Sequence, residues 1–465
     1  MRNLSITEQI NTQYREYALY VLQSRGIPNF YDFLTPVQRL IILNSPNRFN
    51  KTVGLVGEVI KTGLYHHGDS SLSGAISKLA KPFGCSHQIL DGDGFFGSPV
   101  NPSPSAPRYT SVKINSKIRE IVDKHVDLNK TNEEGSYDWI NVEFPVGLLT
   151  HMIGIAVGYR TNILPRKLED VQEYLEGQQK LLKPYFRDFN GKITKFKNEE
   201  STWMLESGFE VDESKKTIRI FDLPPILRYD TFMIKLESKL ESLGFDYRIE
   251  NRSQSKCDLT VQMRSVDLNT FRSVCESISR LTKVIVKEDI VLVKDGCVIE
   301  FNSVKDYLDT FRIHLEEVRL NRLLRDAIDL SDELEFLEAK LKFINFMIAK
   351  KRSNSEIIEF LSGYSQKISA KLQRIEAIKL SSETIEETKN QIAEIKKKIS
   401  ENRKLITEQK SKFNKIKKEI KTSAKSLVKN SLFEPTQIDG IEIFKPAEED
   451  SFSEEFQETR ESFEE

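Results

Sequence analysis

Residues 90–110 read LDGDGFFGSPVNPSPSAPRYT and decide how the first part of the chain folds. Glycines at 92, 94 and 97 and prolines at 99, 102, 104 and 107 exclude a helix over this stretch. Long ordered loops in compact domains tend to be functional. The loop ends at Arg108-Tyr109, where a guanidinium could stabilise a phenolate and the charge on an attacked phosphate. Tyr109 is therefore a candidate nucleophile, although the same pair can be a tyrosine at a core edge beside a solvated arginine.

Short amphipathic segments precede this loop and predict a helix-turn-helix or winged-helix unit. They cover about residues 38–43, 53–61 and 70–79 and are separated by glycine turns. An amphipathic helix is also predicted for residues 1 to about 30, ending at Gly26 and Pro28.

The rest of the chain divides into a mixed region and a helical region. Strand-like segments at residues 217–221, 259–263 and 289–293, with amphipathic helices between them, predict a second α/β region over residues 183–300. Residues 304–430 contain no proline and predict almost continuous helix. Isoleucine or phenylalanine at 392, 395, 399, 406, 413, 416 and 420 forms a heptad seam, which predicts a coiled coil and a dimer. Its lysine-rich outer faces (396–398 and 415–421) fit a solvated surface better than DNA contacts.

Charge is distributed unevenly along the 465 residues, whose formal net charge is -1. Residues 448–465 hold nine carboxylates and one arginine, so the remainder is net basic and a nucleic-acid partner is not excluded. The acidic segment from Glu434 predicts a disordered tail that either imitates DNA or aids solubility. The N-terminus has no signal-peptide pattern and no apolar run spans a membrane, which predicts a cytoplasmic protein without membrane contact. The four separated cysteines predict free thiols and no metal site.

A histidine pair stands in the stretch Tyr65-His66-His67-Gly68-Asp69-Ser70. Imidazole N–H groups at the start of a helix could bind a phosphate. The alternative is a helix cap, with Asp69 or Ser70 as the N-cap and both histidines merely exposed.

These blocks, taken in order, resemble the breakage-reunion subunit of type IIA DNA topoisomerases, the gyrase A-like family. The resemblance rests on five stretches, at residues 25–39, 65–70, 91–97, 105–109 and 154–165, and extends over about residues 15–360. The Tyr-His-His-Gly form and the short length are most similar to the medium subunit of phage DNA topoisomerases, a host bacterial cytoplasm being expected for a phage protein. Thr35, Leu40 and Asp93 depart from the family pattern and remove positive charge or an amide near the DNA.

The resemblance implies a role for each matched residue. Tyr109 would form the 5′-phosphotyrosyl bond, and Arg108 would stabilise the transition state. Ile155 would be an apolar wedge that enters the base stack and bends the DNA. The remaining DNA-binding residues implied are Arg25, Arg39, His66 and His67.

The resemblance also implies a fold and partners. The expected fold class is multidomain α+β: a winged-helix DNA-cleavage domain (1–165), an α/β tower domain (166–303), a coiled-coil arm with a C-terminal dimer gate (304–433) and the acidic tail (434–465). The chain has no P-loop and no clustered acidic motif. Mg²⁺ and ATP are therefore expected on a separate large subunit with an ATPase and a toprim domain, which would join a homodimer of this chain in a heterotetramer.

The implied function is that of an ATP-dependent type II topoisomerase subunit that cleaves and rejoins double-stranded DNA, relaxing or decatenating it. Two alternatives stay open at this point. One is a non-enzymatic, dimeric winged-helix and coiled-coil DNA-binding protein, and the other is a structural coil protein. Tyr109 discriminates among them, because only the enzyme requires its phenol.

Overall fold

The computed structural model describes Tyr14, Tyr17, Val21 and residues 26–129, 131–132, 135–197, 199–350, 352–375 and 382–424. Outside the described residues lie most of the helix predicted for residues 1–30, including Arg25, and the predicted acidic tail. The described chain forms two compact units. The first covers residues 26–314 and 420–424, and the second covers residues 315–419. The division between these units falls within the helix Val304–Ala349, and the domain boundary predicted at residue 304 stays a prediction.

The first unit begins with a winged helix, as the sequence predicts. Apolar residues at helical spacing are buried in its second and third helices, and the three strands pair in the antiparallel order β1-β3-β2. Thr35 caps the first helix through a capping box with Gln38, and Pro36 occupies the first turn. The elements are α1 (Pro36–Asn44), β1 (Asn50–Lys51), α2 (Thr52–Lys61), α3 (Asp69–Ala80), β2 (Leu90–Asp93), β3 (Ser111–Ile114) and α4 (Ser116–Asp123).

A two-stranded hairpin and the mixed region complete the first unit. The elements are β4 (Met152–Ala156), β5 (Tyr159–Ile163), α5 (Leu168–Leu175), β6 (Lys192–Lys195), β7 (Thr202–Glu206), β8 (Gly208–Asp212), β9 (Thr217–Phe221), α6 (Tyr229–Ser242), β10 (Tyr247–Asn251), β11 (Asp258–Met263), α7 (Leu268–Leu281), β12 (Lys283–Lys287), β13 (Ile290–Lys294) and β14 (Cys297–Phe301). Helices α6 and α7 pack on one face of the sheet β10-β11-β9-β8 around Phe232 and Phe271. A second sheet has the order β12-β7-β6, and β13 pairs with β14.

A buried ion pair ties the hairpin to the second sheet. Glu288 is 4% exposed and Arg166 is 2% exposed, and the Arg166 Nη2 lies 2.7 Å from the Glu288 Oε2. Glu288 also accepts hydrogen bonds from the Leu164 amide at 2.8 Å and from the Trp203 indole Nε1 at 2.8 Å. These contacts cross the domain boundary predicted at residue 165, and that boundary stays a prediction.

The second unit is helical. Its elements are the greater part of α8 (Val304–Ala349), then α9 (Asn354–Ser362), α10 (Gln366–Gln373) and α11 (Ser382–Ala424). The heptad seam of α11 packs on α8 of the same chain: Ile406 joins Leu320 and Leu324 in one apolar cluster. The Asn402 amide donates to the Leu323 carbonyl at 3.3 Å. The seam is therefore covered within the chain and gives no independent support for the predicted dimer. None of the helices described is both long and apolar enough to cross a membrane.

Candidate functional site

The loop between β2 and β3 is fixed by its own backbone. Gly94 and Gly97 have φ angles of 101° and 93°, a region that side chains disfavour. The Ser105 amide donates to the Phe95 carbonyl at 2.9 Å, which closes the loop on itself. Phe96 is 3% exposed and packs against Gly92, where an added Cβ would lie 2.6 Å from the ring. The glycine and proline pattern therefore gives an ordered loop, as the sequence predicts.

Tyr109 stands at the end of this loop and is 68% exposed. Its amide donates to the Ala106 carbonyl at 2.9 Å in a tight turn. The next residue, Thr110, is buried, and its hydroxyl lies 2.7 Å from the hydroxyl of Thr52 at the start of α2. The backbone at Tyr109 is thus anchored on both sides while the phenol faces solvent. Exposed Arg108 lies with its guanidinium carbon 5.2 Å from the Tyr109 ring centroid, within cation–π range.

The histidine pair precedes α3. His66 is exposed, and the half-buried His67 ring meets the Tyr65 ring edge-on at 5.5 Å. The N-cap of α3 is Gly68, without a side-chain cap bond, so neither Asp69 nor Ser70 has the capping role of the alternative prediction. The buried Tyr65 hydroxyl donates to the Gly68 carbonyl at 3.2 Å. An exposed imidazole beside the positive end of a helix is a suitable place for a phosphate.

Ile155 lies on β4 and is 74% exposed. The backbone of β4 at Gly154 and Ile155 packs directly against the backbone of Gly26. An ideal Cβ on Gly154 would lie 1.8 Å from the Gly26 carbonyl oxygen, and one on Gly26 would lie 2.5 Å from the Ile155 oxygen. Only glycine permits this approach. The glycines therefore serve tight packing, and that packing presents Ile155 outward.

Arg39, which the resemblance places at the DNA, is buried and ion-paired, and its contact with DNA stays a prediction. It is 3% exposed, and its Nε lies 2.6 Å from the Oδ2 of Asp32, which is 0% exposed. Its Nη2 also donates to the Leu34 carbonyl at 3.2 Å. A buried carboxylate needs a counter-charge, and Arg39 supplies it. Arg39 is therefore a structural partner of Asp32, a residue that the sequence pattern did not single out, and it does not belong to the exposed set.

Other side chains near Ile155 were not predicted either. Ile153 is 49% exposed on the same face of β4, and the alternation of Met152 inward and Ile153 outward was a readable signal. Arg160 is opposite Ile155 across the hairpin and makes an ion pair with Asp289. Arg160 and Asp289 are 129 residues apart in the sequence, so no local sequence pattern connects them.

The described residues contain no group of three or more His, Cys, Asp and Glu placed to hold a metal ion. Asp91 and Asp93 are two residues apart on β2 and so lie on the same face of the strand. The Asp91 carboxylate accepts a hydrogen bond from Asn115 at 2.8 Å and lies 3.6 Å from the Lys113 ammonium. Asp91 is therefore paired with Asn115 and Lys113 at this end of the loop.

The described residues thus include a winged helix whose loop ends at an exposed tyrosine, and a hairpin that carries an exposed isoleucine. The family model that describes the A subunits of DNA gyrase and topoisomerase IV matches residues 25–421. The chain therefore belongs to this family, which confirms the resemblance seen in the sequence.

Individual relatives agree with this family. The chain is 27% identical over 390 residues to the A subunit of DNA gyrase from Borreliella burgdorferi, covering 74% of this chain and 47% of that protein. It is 26% identical over 260 residues to the DNA topoisomerase medium subunit of Enterobacteria phage T4, covering 53% of this chain and 58% of that protein. The chain thus spans about half the length of these curated relatives.

Solved structures show the same fold. The DNA-binding, cleavage and re-ligation domain of Plasmodium falciparum topoisomerase II superposes with a TM-score of 0.71 at 21% identity, covering 91% of this chain and 66% of that one. The mixed α+β architecture is confirmed by this likeness, and the tower, arm and gate assignments stay predictions.

Proposed function

We propose that this chain is the DNA-cleaving and rejoining subunit of a type II DNA topoisomerase, with Tyr109 as its nucleophile. The observation that carries the proposal is the exposed Tyr109 phenol beside Arg108, held at a fixed point of the winged helix in a chain of the gyrase A family. The non-enzymatic DNA-binding alternative does not account for this family membership.

The chemistry assigned to Tyr109 is a reversible phosphoryl transfer. The phenol loses its proton, its oxygen bonds to a backbone phosphorus, and the bond from phosphorus to the 3′ oxygen breaks. The DNA is then held by a 5′-phosphotyrosyl bond, and the released 3′ oxygen takes up a proton. Rejoining reverses each change. Arg108 is placed to stabilise negative charge on the phenolate and on the attacked phosphate.

The DNA path follows from the other exposed residues. His66 and His67, before α3, would donate to phosphate oxygens near the cleaved bond. Ile155 would enter the base stack and kink the duplex, since inserted apolar side chains unstack a base step. Arg25 completes the proposed set from outside the described residues.

The proposed net reaction, relaxation or decatenation, needs parts that this chain is not proposed to supply. ATP hydrolysis and Mg²⁺ are assigned to a separate large subunit with an ATPase and a toprim domain. Two copies of this chain would cut the two strands, one Tyr109 for each, which matches the two-fold symmetry of a staggered break. A heterotetramer of two chains of each kind follows. Light scattering on the purified chain should then give a dimer mass, and a monomer at micromolar concentration would contradict this part of the proposal.

The test of Tyr109 is the covalent adduct. The chain is combined with its large subunit, Mg²⁺, ATP and supercoiled plasmid, and stopped with detergent. Wild type and the matched control Tyr185→Phe, which alters another exposed tyrosine (40% exposed), should give protein-linked DNA. Tyr109→Phe should bind DNA with unchanged affinity and give none. An adduct from Tyr109→Phe at the wild-type level would exclude Tyr109 as the nucleophile.

A further inference from the structure

The outward face of the β4–β5 hairpin carries two apolar side chains. Ile155 is 74% exposed and Ile153 is 49% exposed, whereas Met152, on the inward side of the same strand, is 2% exposed. Side chains two residues apart on a strand point to the same side, so both isoleucines face solvent together. Exposed apolar side chains that lie together in a patch often mark a surface that binds a partner.

The spacing of the two isoleucines fits a base stack. Residues i and i+2 on a strand are separated by about 7 Å along the strand. The rise of duplex DNA is about 3.4 Å per base pair. Because this separation is about two base-pair rises, the two side chains cannot share one base step. With the strand lying along the duplex, Ile153 would face a base pair beyond the step that Ile155 enters.

The hairpin is fixed well enough to hold both side chains in place. Beneath β4, the close approach of Gly154 to the Gly26 carbonyl allows no movement inward. On the other strand, the Asn162 amide donates to the Asp289 carbonyl at 3.0 Å. The Asp289 carboxylate in turn accepts from the Arg160 Nε at 2.9 Å. Arg160 is thereby kept across from Ile155, with its guanidinium 60% exposed and available to a phosphate or a narrow groove.

We propose that Ile153 and Ile155 form a two-residue apolar wedge in which each side chain contacts a different base pair of a bent duplex, with Arg160 beside it on the DNA backbone. The proposal rests on the proposed function and extends it, since the resemblance assigns the wedge to Ile155 alone. The ligand is double-stranded DNA, and the wedge determines how sharply that DNA is bent.

The experiment measures DNA bending by energy transfer between fluorophores at the two ends of a duplex of about 40 base pairs. The probe duplex is added to the full chain with its large subunit. Ile153→Thr keeps the β-branch and the strand preference but places a hydroxyl on the exposed face. Ile155→Thr is the reference variant for the first wedge position. The matched control is Ile285→Thr, on β12, where another isoleucine is 53% exposed.

Ile153→Thr and Ile155→Thr should each lower the bent fraction and weaken duplex binding by about threefold to tenfold, because apolar contact is lost. Ile285→Thr should match wild type, Ile153→Leu should retain bending, and all variants should keep the wild-type urea midpoint. If Ile155→Thr reduces bending and Ile153→Thr does not, the two-residue wedge is overturned while the proposed function stands. If wild type neither bends nor cleaves the duplex, the proposed function itself fails.

Discussion

Glu288 is the residue whose removal tests most directly how this unit is held together. The residue is 4% exposed, and its carboxylate accepts two hydrogen bonds from Arg166, one from the Leu164 amide and one from the Trp203 indole. Glu288→Gln keeps the shape but leaves the Arg166 guanidinium buried without a counter-charge. It also turns an amide N–H toward groups that are themselves donors.

The expected destabilisation follows from burial. Removing one charge of a buried ion pair lowers the free energy of unfolding by about 3–5 kcal/mol. Glu288→Gln keeps the shape of the side chain, so its loss should be about 3 kcal/mol. The matched control is Asp258→Asn, which breaks the surface pair with Arg219 at 2.9 Å, where the side chains are 49% and 31% exposed. Exposed pairs contribute about 0–1 kcal/mol, so the control should change little.

Urea unfolding followed by tryptophan fluorescence provides the measurement. The chain has two tryptophans, and a Trp139→Phe background leaves Trp203, whose indole bonds to Glu288 itself. A loss of about 3 kcal/mol should lower the urea midpoint by about 1 M. Arg166→Met combined with Glu288→Gln should lose less than the sum of the single variants, because no unpaired charge remains. If Glu288→Gln stays within about 1 kcal/mol of the control, the buried pair is not what secures these elements.

Two further predictions concern packing and pH. Gly154→Ala should destabilise the chain by about 1–3 kcal/mol and lower DNA bending, because the added Cβ would lie 1.8 Å from the Gly26 carbonyl oxygen; Gly57→Ala, in open space on α2, should be neutral or stabilising by urea titration. Burial lowers the pKa of His314 from 6.5 to about 3, so below pH 6.5 the unfolded chain binds a proton that the folded chain does not, and stability falls. His314→Phe, which keeps an aromatic ring beside Tyr31, should reduce the loss of unfolding free energy between pH 6.5 and 5 by roughly 1.5 kcal/mol, and parallel stability curves for the two proteins would contradict this.

Local chemistry made much of the winged helix predictable from sequence. The helices at residues 36–44, 52–61 and 69–80 follow the apolar spacing, and the glycine and proline residues do confine residues 94–110 to a loop. The strand Thr217–Phe221 was predicted with the bounds that it has. In each case the deciding interactions lie within a few residues, so the sequence contains them in readable order.

Burial of charged groups was not predictable in this way. Arg39 stands in a helix start that resembles a DNA-contacting stretch, yet Asp32 draws its guanidinium inward at 2.6 Å. Glu288 lies more than a hundred residues from Arg166, and no local pattern relates them. The heptad seam was visible, but its partner was not, because a seam is covered equally well by another chain or by α8 of its own.

The exposed residues of the proposed site are built in the same way, and this explains why the order of motifs pointed to them although composition did not. Tyr109 and Ile155 have exposed side chains, so interior packing does not dictate their identity. Their backbones, by contrast, are fixed by buried neighbours: the Thr110 hydroxyl meets that of Thr52, and Gly154 lies against Gly26. Neighbours that fix the backbone in this way are glycines and hydroxyl residues, and Thr110 and Gly154 stand next to Tyr109 and Ile155 in the sequence. Changing such a neighbour should therefore impair the same reaction as changing the functional residue, while leaving the chemical group itself intact.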